Sequence, residues 1–195
     1  MTSVVGARPS PYERLVPVTA MLAVAVSLAA SALTGRAVAV PLVGVGLVSL
    51  LAGVVDARTG RIPNVVAGTA LAAFLAGVIV TAVGDHRGLL EVAAGALAGF
   101  VLSGAPLLGL LWVVQPSGIG AGDVKLLSVQ GATIGLLAPL AVPLMLLGGV
   151  VVASGQSALF GRRRTMPLGP GLAVGYFAAI VAGTAGNVLF GGAYG

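Results

Sequence analysis

The sequence predicts an all-α, polytopic membrane protein with about seven transmembrane helices and a cytoplasmic N-terminus. Three observations carry that expectation. Of the 195 residues, 58% are hydrophobic and only 8% are charged, with a mean hydropathy of +1.12, whereas an ordinary soluble domain carries roughly 25% charged residues. The few charges are spaced so that stretches of about 20 apolar residues lie between them, the length that crosses a bilayer as a helix. The basic residues, finally, gather on one side of the topology those stretches define.

Taken in order, a short polar flank at 1–14 precedes a first span near 15–35, bounded by Arg14 and Arg36. About 19 apolar residues exceed a usual signal-peptide core, so this helix is expected to be retained. Spans near 37–55 and 62–84 follow, separated by the polar segment Asp56–Arg61. The charge-free run between Glu91 and Asp123 holds a span near 92–115. No charge then intervenes between Lys125 and Arg162, enough chain for two helices near 122–138 and 140–160. Pro139 and Pro143 mark the break, because proline ends or kinks helices. A last span runs near 167–190.

Alternate loops then lie on opposite sides. Arg8, Arg14, Arg58, Arg61, Lys125 and Arg162–Arg164 share one side, and Arg36 and Arg87 the other. The positive-inside rule makes the richer side cytoplasmic. The net charge of +5 reads as a topology signal and an attraction to anionic membrane lipid. It does not read as a nucleic-acid patch, since the basic residues are not interleaved with aromatics. Without cysteine there is no thiolate metal site, disulfide or thiol nucleophile, and one histidine is too few for a multi-His site. No soluble insert, long linker or internal repeat is expected.

Five acidic residues are present: Glu13, Asp56, Asp85, Glu91 and Asp123. Glu13 belongs to the N-terminal flank, and Asp85 reads as a solvated loop or helix-end charge. Glu91, four residues after Arg87, is placed for an ion pair. Asp56 and Asp123 differ from these, because both fall at span ends on the cytoplasmic side, beside glycines. Asp56 precedes Ile62-Pro63-Asn64, where Pro63 suits the first turn of a helix, and Asp123 closes Gly118-Ile119-Gly120-Ala121-Gly122-Asp123 ahead of Lys125. Glycines 118, 120 and 122 each disfavour regular helix by about 1 kcal/mol, and without a Cβ they let a substrate backbone approach. Two close carboxylates share one proton. The ionised member can then activate a water toward an amide carbonyl while the protonated member supplies the acid, with no cofactor and no metal.

At these residues the chain resembles the prepilin leader peptidases, aspartic intramembrane proteases of the GxGD type. The segment Gly120-Ala121-Gly122-Asp123-Val124-Lys125 matches that family's Gly-x-Gly-Asp-x-Lys motif. Asp56 with Ile62-Pro63-Asn64 matches its first motif, and Pro167-Leu168-Gly169-Pro170 resembles its late Pro-x-Gly-Pro turn. The resemblance runs from about Val45 to Tyr176 and implies a single transmembrane peptidase domain. It implies an enzyme of the cytoplasmic membrane that cleaves the leader of type IV pilin-like precursors. Asp56 and Asp123 would be the catalytic pair, Gly120 and Gly122 the loop that presents Asp123, and Lys125 a motif residue without an assigned step. Larger members carry paired Cys-x-x-Cys motifs and also N-methylate the new terminus; a chain without cysteine resembles the short, peptidase-only members, so methylation is not expected.

Other readings are kept beside this one. A small ion- or proton-coupled transporter would use the same two aspartates, but as mid-membrane sites on broken helices. A non-catalytic scaffold of a pilus or secretion assembly would tolerate their loss. The glycine run lacks the Lys-Ser/Thr of a phosphate loop. The pairs Gly95/Gly99, Gly131/Gly135 and Gly171/Gly175 read as close helix packing, Tyr12, Trp112 and Tyr176 as interface anchors, and His86 as a loop residue remote from the aspartates.

Overall fold

A computed structural model of the chain describes residues 36–114, 120–160 and 168–190. The expected flank 1–14, the span near 15–35, Tyr12, Gly118, Arg162–Arg164 and Pro167 lie outside the described residues, as does the side chain of Trp112. The described residues are helical and contain no strand.

Helix α1 (Ala39–Thr59) and helix α2 (Asn64–Gly84) form a tight antiparallel pair. The turn between them follows from its sequence. Gly60 adopts the left-handed conformation at φ 67° and its N–H caps the Asp56 carbonyl at 2.7 Å, the usual glycine ending of a helix. Thr59 Oγ1 closes on the carbonyls of Val55 and Arg61 at 2.8 and 2.9 Å. Pro63 then stands one position ahead of α2, as its N-cap rather than within its first turn.

The stretch expected as a span near 92–115 is two helices, α3 (Leu89–Leu102) and α4 (Ala105–Val114), bent by 48°. The cause is local. Gly104 is left-handed at φ 68°, and Pro106 has no N–H to extend a helix backward. The buried Ser103 hydroxyl accepts the Ala105 N–H at 3.3 Å and donates to the Phe100 carbonyl at 2.6 Å. Helix α5 (Ala121–Leu137) leads through a 3-10 turn at Pro139–Ala141 into α6 (Val142–Phe160), with the break where the prolines predict it. Helix α7 (Gly169–Phe190) completes the described chain.

Helix α5 is the axis of the bundle and touches every other described helix. Glycine makes its closest approach possible. A Cβ on Gly99 of α3 would stand 2.7 Å from the Gly135 Cα, and one on Gly95 would stand 2.8 Å from the Gly135 carbonyl oxygen. Gly171 and Gly175 of α7 face Gly149 of α6 in the same manner, at 2.6 Å from its carbonyl oxygen and 2.9 Å from its nitrogen. The three small-residue pairs are therefore helix contacts, as their spacing predicts. Gly99→Ala is expected to destabilise the protein by about 1–3 kcal/mol through overpacking, read as a lowered unfolding temperature in detergent.

The outer face is apolar as well. Ile79, Val83, Leu97, Val113 and Val181 are each more than 60% exposed, and helices apolar all round belong in lipid rather than water. Helices α1 and α2 are long and apolar enough to cross a membrane, and the bent pair α3–α4 makes a third candidate span. This is a membrane protein.

The end of the bundle away from Asp56 refines one expectation and corrects another. Asp85 is a helix-end charge, the C-cap of α2. Its carboxylate accepts the N–H groups of Ala37 and Val38 at 2.6 and 3.1 Å, satisfying the open N-terminus of α1 from 47 residues away. Tyr176 is no interface anchor. It is fully buried, and its hydroxyl donates to the Leu42 carbonyl at 2.9 Å. Contacts this distant in sequence leave no local signature. Arg87 pairs with Glu91 at 2.8 Å as the spacing predicts, and also donates to the Leu136 carbonyl in the last turn of α5, where a cation is favoured.

Candidate active site

Asp56 sits in the last turn of α1 and Asp123 in the first turn of α5. Helix periodicity brings them onto one seam. Ser49 and Gln130, hydrogen-bonded to each other at 2.9 Å, join α1 and α5 deeper in the bundle. Seven residues is close to two helical turns, so Asp56 lies above Ser49 and Asp123 above Gln130, each about 10 Å along its helix. The two helices run in opposite directions along this seam, so both steps lead to the same end. Both aspartates therefore stand at the same end of the α1–α5 seam.

A glycine lies against each carboxylate, and at Asp56 its N–H donates a hydrogen bond. Asp56 is 3% exposed, and its Oδ2 accepts the Gly169 N–H at 2.8 Å. A Cβ at Gly169 would come 2.8 Å from the Asp56 Cβ and 3.0 Å from Oδ2, so that hydrogen bond requires glycine there. Gly53, one turn before Asp56, is equally constrained: a Cβ would meet the Pro170 Cα at 3.2 Å. Gly169→Ala is expected to cut activity roughly tenfold or more by displacing Asp56, while the protein still inserts; a proteolytic rate assay at matched membrane levels reads it.

Asp123 is half-buried. Its Oδ2 lies back against Gly120, the N-cap of α5, where a Cβ would stand 2.6 Å from it. The Asp123 Oδ1 atom is buried with no hydrogen-bond partner in the protein. A buried acceptor left unpaired costs about 1–3 kcal/mol, and in a native protein it calls for an explanation, of which a catalytic role is one.

The two sequence motifs meet through Ile62, Gly122, Asn64 and Lys125. A Cβ on Gly122 would stand 2.5 Å from the Ile62 carbonyl oxygen and 2.8 Å from the Ile62 Cβ. The sequence assigned this glycine to substrate access; in the fold its bare face is taken up by the Ile62 backbone, and Ile62 itself is buried. Lys125 Nζ donates to Asn64 Oδ1 at 2.9 Å across the exposed rim. Pro63 starts α2 between them and so sets the angle at which Asn64 reaches Lys125.

A cavity of about 300 Å³ opens beside Asp123, lined by Leu108, Val124, Leu127, Leu146 and Leu172, with Asp123 its one ionisable group among the described residues. Leu168, next to the glycine that holds Asp56, also borders it. Among the described residues no cluster of three metal-ligating side chains occurs. Gly169 was legible only as part of a turn motif, and its role at Asp56 was not. Ser49 and Gln130 carried no signal beyond being polar in apolar helices.

Comparison with known proteins places this geometry. Residues 42–158 match the type IV leader peptidase family. The chain is 34% identical over 147 residues to the prepilin leader peptidase/N-methyltransferase of Burkholderia pseudomallei strain 1026b, and equally to that of strain K96243. These alignments cover 71% of this chain and 45% of each relative, so the chain spans about half the length of the curated relatives it matches. No solved structure matches. With both site motifs inside the matched region, and that region covering more than half of its length, the chain belongs to the type IV leader peptidase family.

Proposed function

We propose that this protein is a membrane-embedded aspartic endopeptidase that removes the N-terminal leader of type IV pilin-like precursors, with Asp56 and Asp123 as its catalytic pair. The observation that carries the reading is the orphaned Asp123 Oδ1, buried beside an apolar cavity at the same end of the α1–α5 seam as Asp56. Family membership supports the peptidase activity and the precursor class.

The chemistry follows from the arrangement. With one proton between the two carboxyl groups, the ionised member takes a proton from a water, which attacks the scissile carbonyl. The protonated member donates to the carbonyl oxygen as it becomes tetrahedral, then a proton passes to the leaving amine as the C–N bond breaks. The Gly169 N–H holds the Asp56 carboxylate, while the unpartnered Asp123 Oδ1 is left for the reacting water or carbonyl. The apolar cavity next to Asp123 receives the apolar side of the cleaved segment, and its wall keeps bulk water from the acid form.

The cytoplasmic orientation is part of the proposal. Arg58, Arg61 and Lys125 are exposed at the aspartate end of the bundle, which the positive-inside rule puts in the cytoplasm, with the seven-span inner-membrane topology read from the sequence. The absence of cysteine supports leader cleavage without N-methylation. No cofactor is required, lipid surrounds the outer face, and nucleic acid is not a partner in this reading. The transporter alternative calls for ionisable groups at mid-membrane on broken helices, whereas these aspartates stand in terminal turns.

Purified protein given a pilin-like precursor is expected to cleave with a bell-shaped pH dependence, because only the singly protonated pair is active. Chelators and thiol reagents are expected to leave the rate unchanged. Loss of activity with EDTA would contradict a two-carboxylate mechanism.

A further inference from the structure

We propose that Gln130 and Ser49 are positioning residues for the Asp56–Asp123 pair, setting the register of α1 against α5 and with it the separation of the two carboxylates; this rests on the peptidase reading above. Both residues are completely buried. Gln130 Nε2 donates to Ser49 Oγ at 2.9 Å and approaches the Leu172 carbonyl of α7 at 3.5 Å. The Ser49 hydroxyl passes its own proton to the Val45 carbonyl at 2.7 Å, leaving its oxygen to accept from Gln130. One side chain therefore ties α5 to α1 and points at α7, the helix whose first residue holds Asp56.

Apolar contacts alone fix such a register poorly in lipid, where sliding one helix past another exchanges one apolar surface for another. A hydrogen bond of defined length does fix it, as a buried polar residue sets the register of a coiled coil. The cost of keeping Gln130 is visible, because its Oε1 is buried with no partner. An apolar residue of similar volume would avoid that cost, so stability alone does not account for a glutamine here. The position does: it lies about two turns below Asp123, as Ser49 lies below Asp56, and a shift at the clamp is transmitted along two stiff helices to the carboxylates.

The test compares kcat, KM and the pH profile of precursor cleavage for wild type, Gln130→Leu, Ser49→Ala and the double variant. Thr133→Val serves as control, since that buried hydroxyl bonds only within its own helix, to the Val129 carbonyl. Each single variant is expected to lower kcat roughly tenfold with KM little changed. The active pH range is expected to narrow, because carboxylates set further apart share a proton less strongly. The double variant should be no worse than the poorer single one, and Thr133→Val should match wild type. Wild-type kcat and pH range in Gln130→Leu, or losses that add in the double variant, would overturn the clamp. Should Gln130→Leu fail to fold, Ser49→Ala, which removes one oxygen, decides the question by the same readings. Wild type that cleaves nothing, or that cleaves as well with Asp56→Asn, removes the peptidase reading and the clamp together; aspartate-dependent cleavage with an unaffected clamp removes the clamp alone.

Discussion

Asp56→Asn and Asp123→Asn are each expected to lower precursor cleavage by about 10²–10⁴-fold, the range that positioned acid–base groups contribute. Asparagine is close to isosteric and at position 56 can still accept the Gly169 N–H, so the helix ends should remain in place. What it cannot do is hold or share the proton. Because the two carboxyl groups act as one unit, the double variant should be scarcely worse than either single one, as is usual for residues of one catalytic device. Independent losses that multiplied would mean two separate roles and not a shared proton. Both variants should reach the membrane at wild-type levels, since asparagine matches aspartate in size and retains a hydrogen-bond acceptor.

Gly122→Val is the second large effect expected, although Gly122 has no chemical group to offer. The Cβ of valine would stand 2.5 Å from the Ile62 carbonyl oxygen, against backbone that the Gly60 cap and Pro63 hold on both sides. The N-terminus of α5 must move away, and Asp123, one residue on, moves with it. A displacement of about 1 Å is enough to cost about 10²-fold in rate. The fold should survive, because the rest of α5 is anchored by its glycine contacts with α3 and by Gln130. Cleavage rate and membrane level measured together test this; wild-type turnover would show that Ile62 yields freely and that the junction of the two motifs does not position Asp123.

The sequence and the fold agree where the signal is local. The small-residue spacing identifies the α3–α5 and α6–α7 contacts, whereas α1 runs on to Thr59, past the charge at Asp56 that was expected to follow it. The bend at Ser103–Gly104 was written in Ser-Gly-Ala-Pro, but charge-free length alone passes over it. Long-range contacts are the part that periodicity cannot supply. Asp85 across α1, Tyr176 on Leu42, Gly169 on Asp56 and Lys125 on Asn64 all join residues at least 61 apart, except Asp85, which is 47 from Val38. Each is a hydrogen bond whose donor and acceptor are ordinary in their own segments. The two aspartates could be named from their motifs, whereas the Gly169 N–H that holds Asp56 came only from the fold.

The most direct test is cleavage of a co-expressed pilin-like precursor, followed by mobility and by N-terminal sequencing of the product. Wild type is compared with Asp56→Asn and Asp123→Asn at matched membrane levels. A new, single N-terminus with wild type, lost in both variants, is the predicted result. Undiminished cleavage in either variant, or none by wild type across several such precursors, would contradict the paired-carboxylate peptidase.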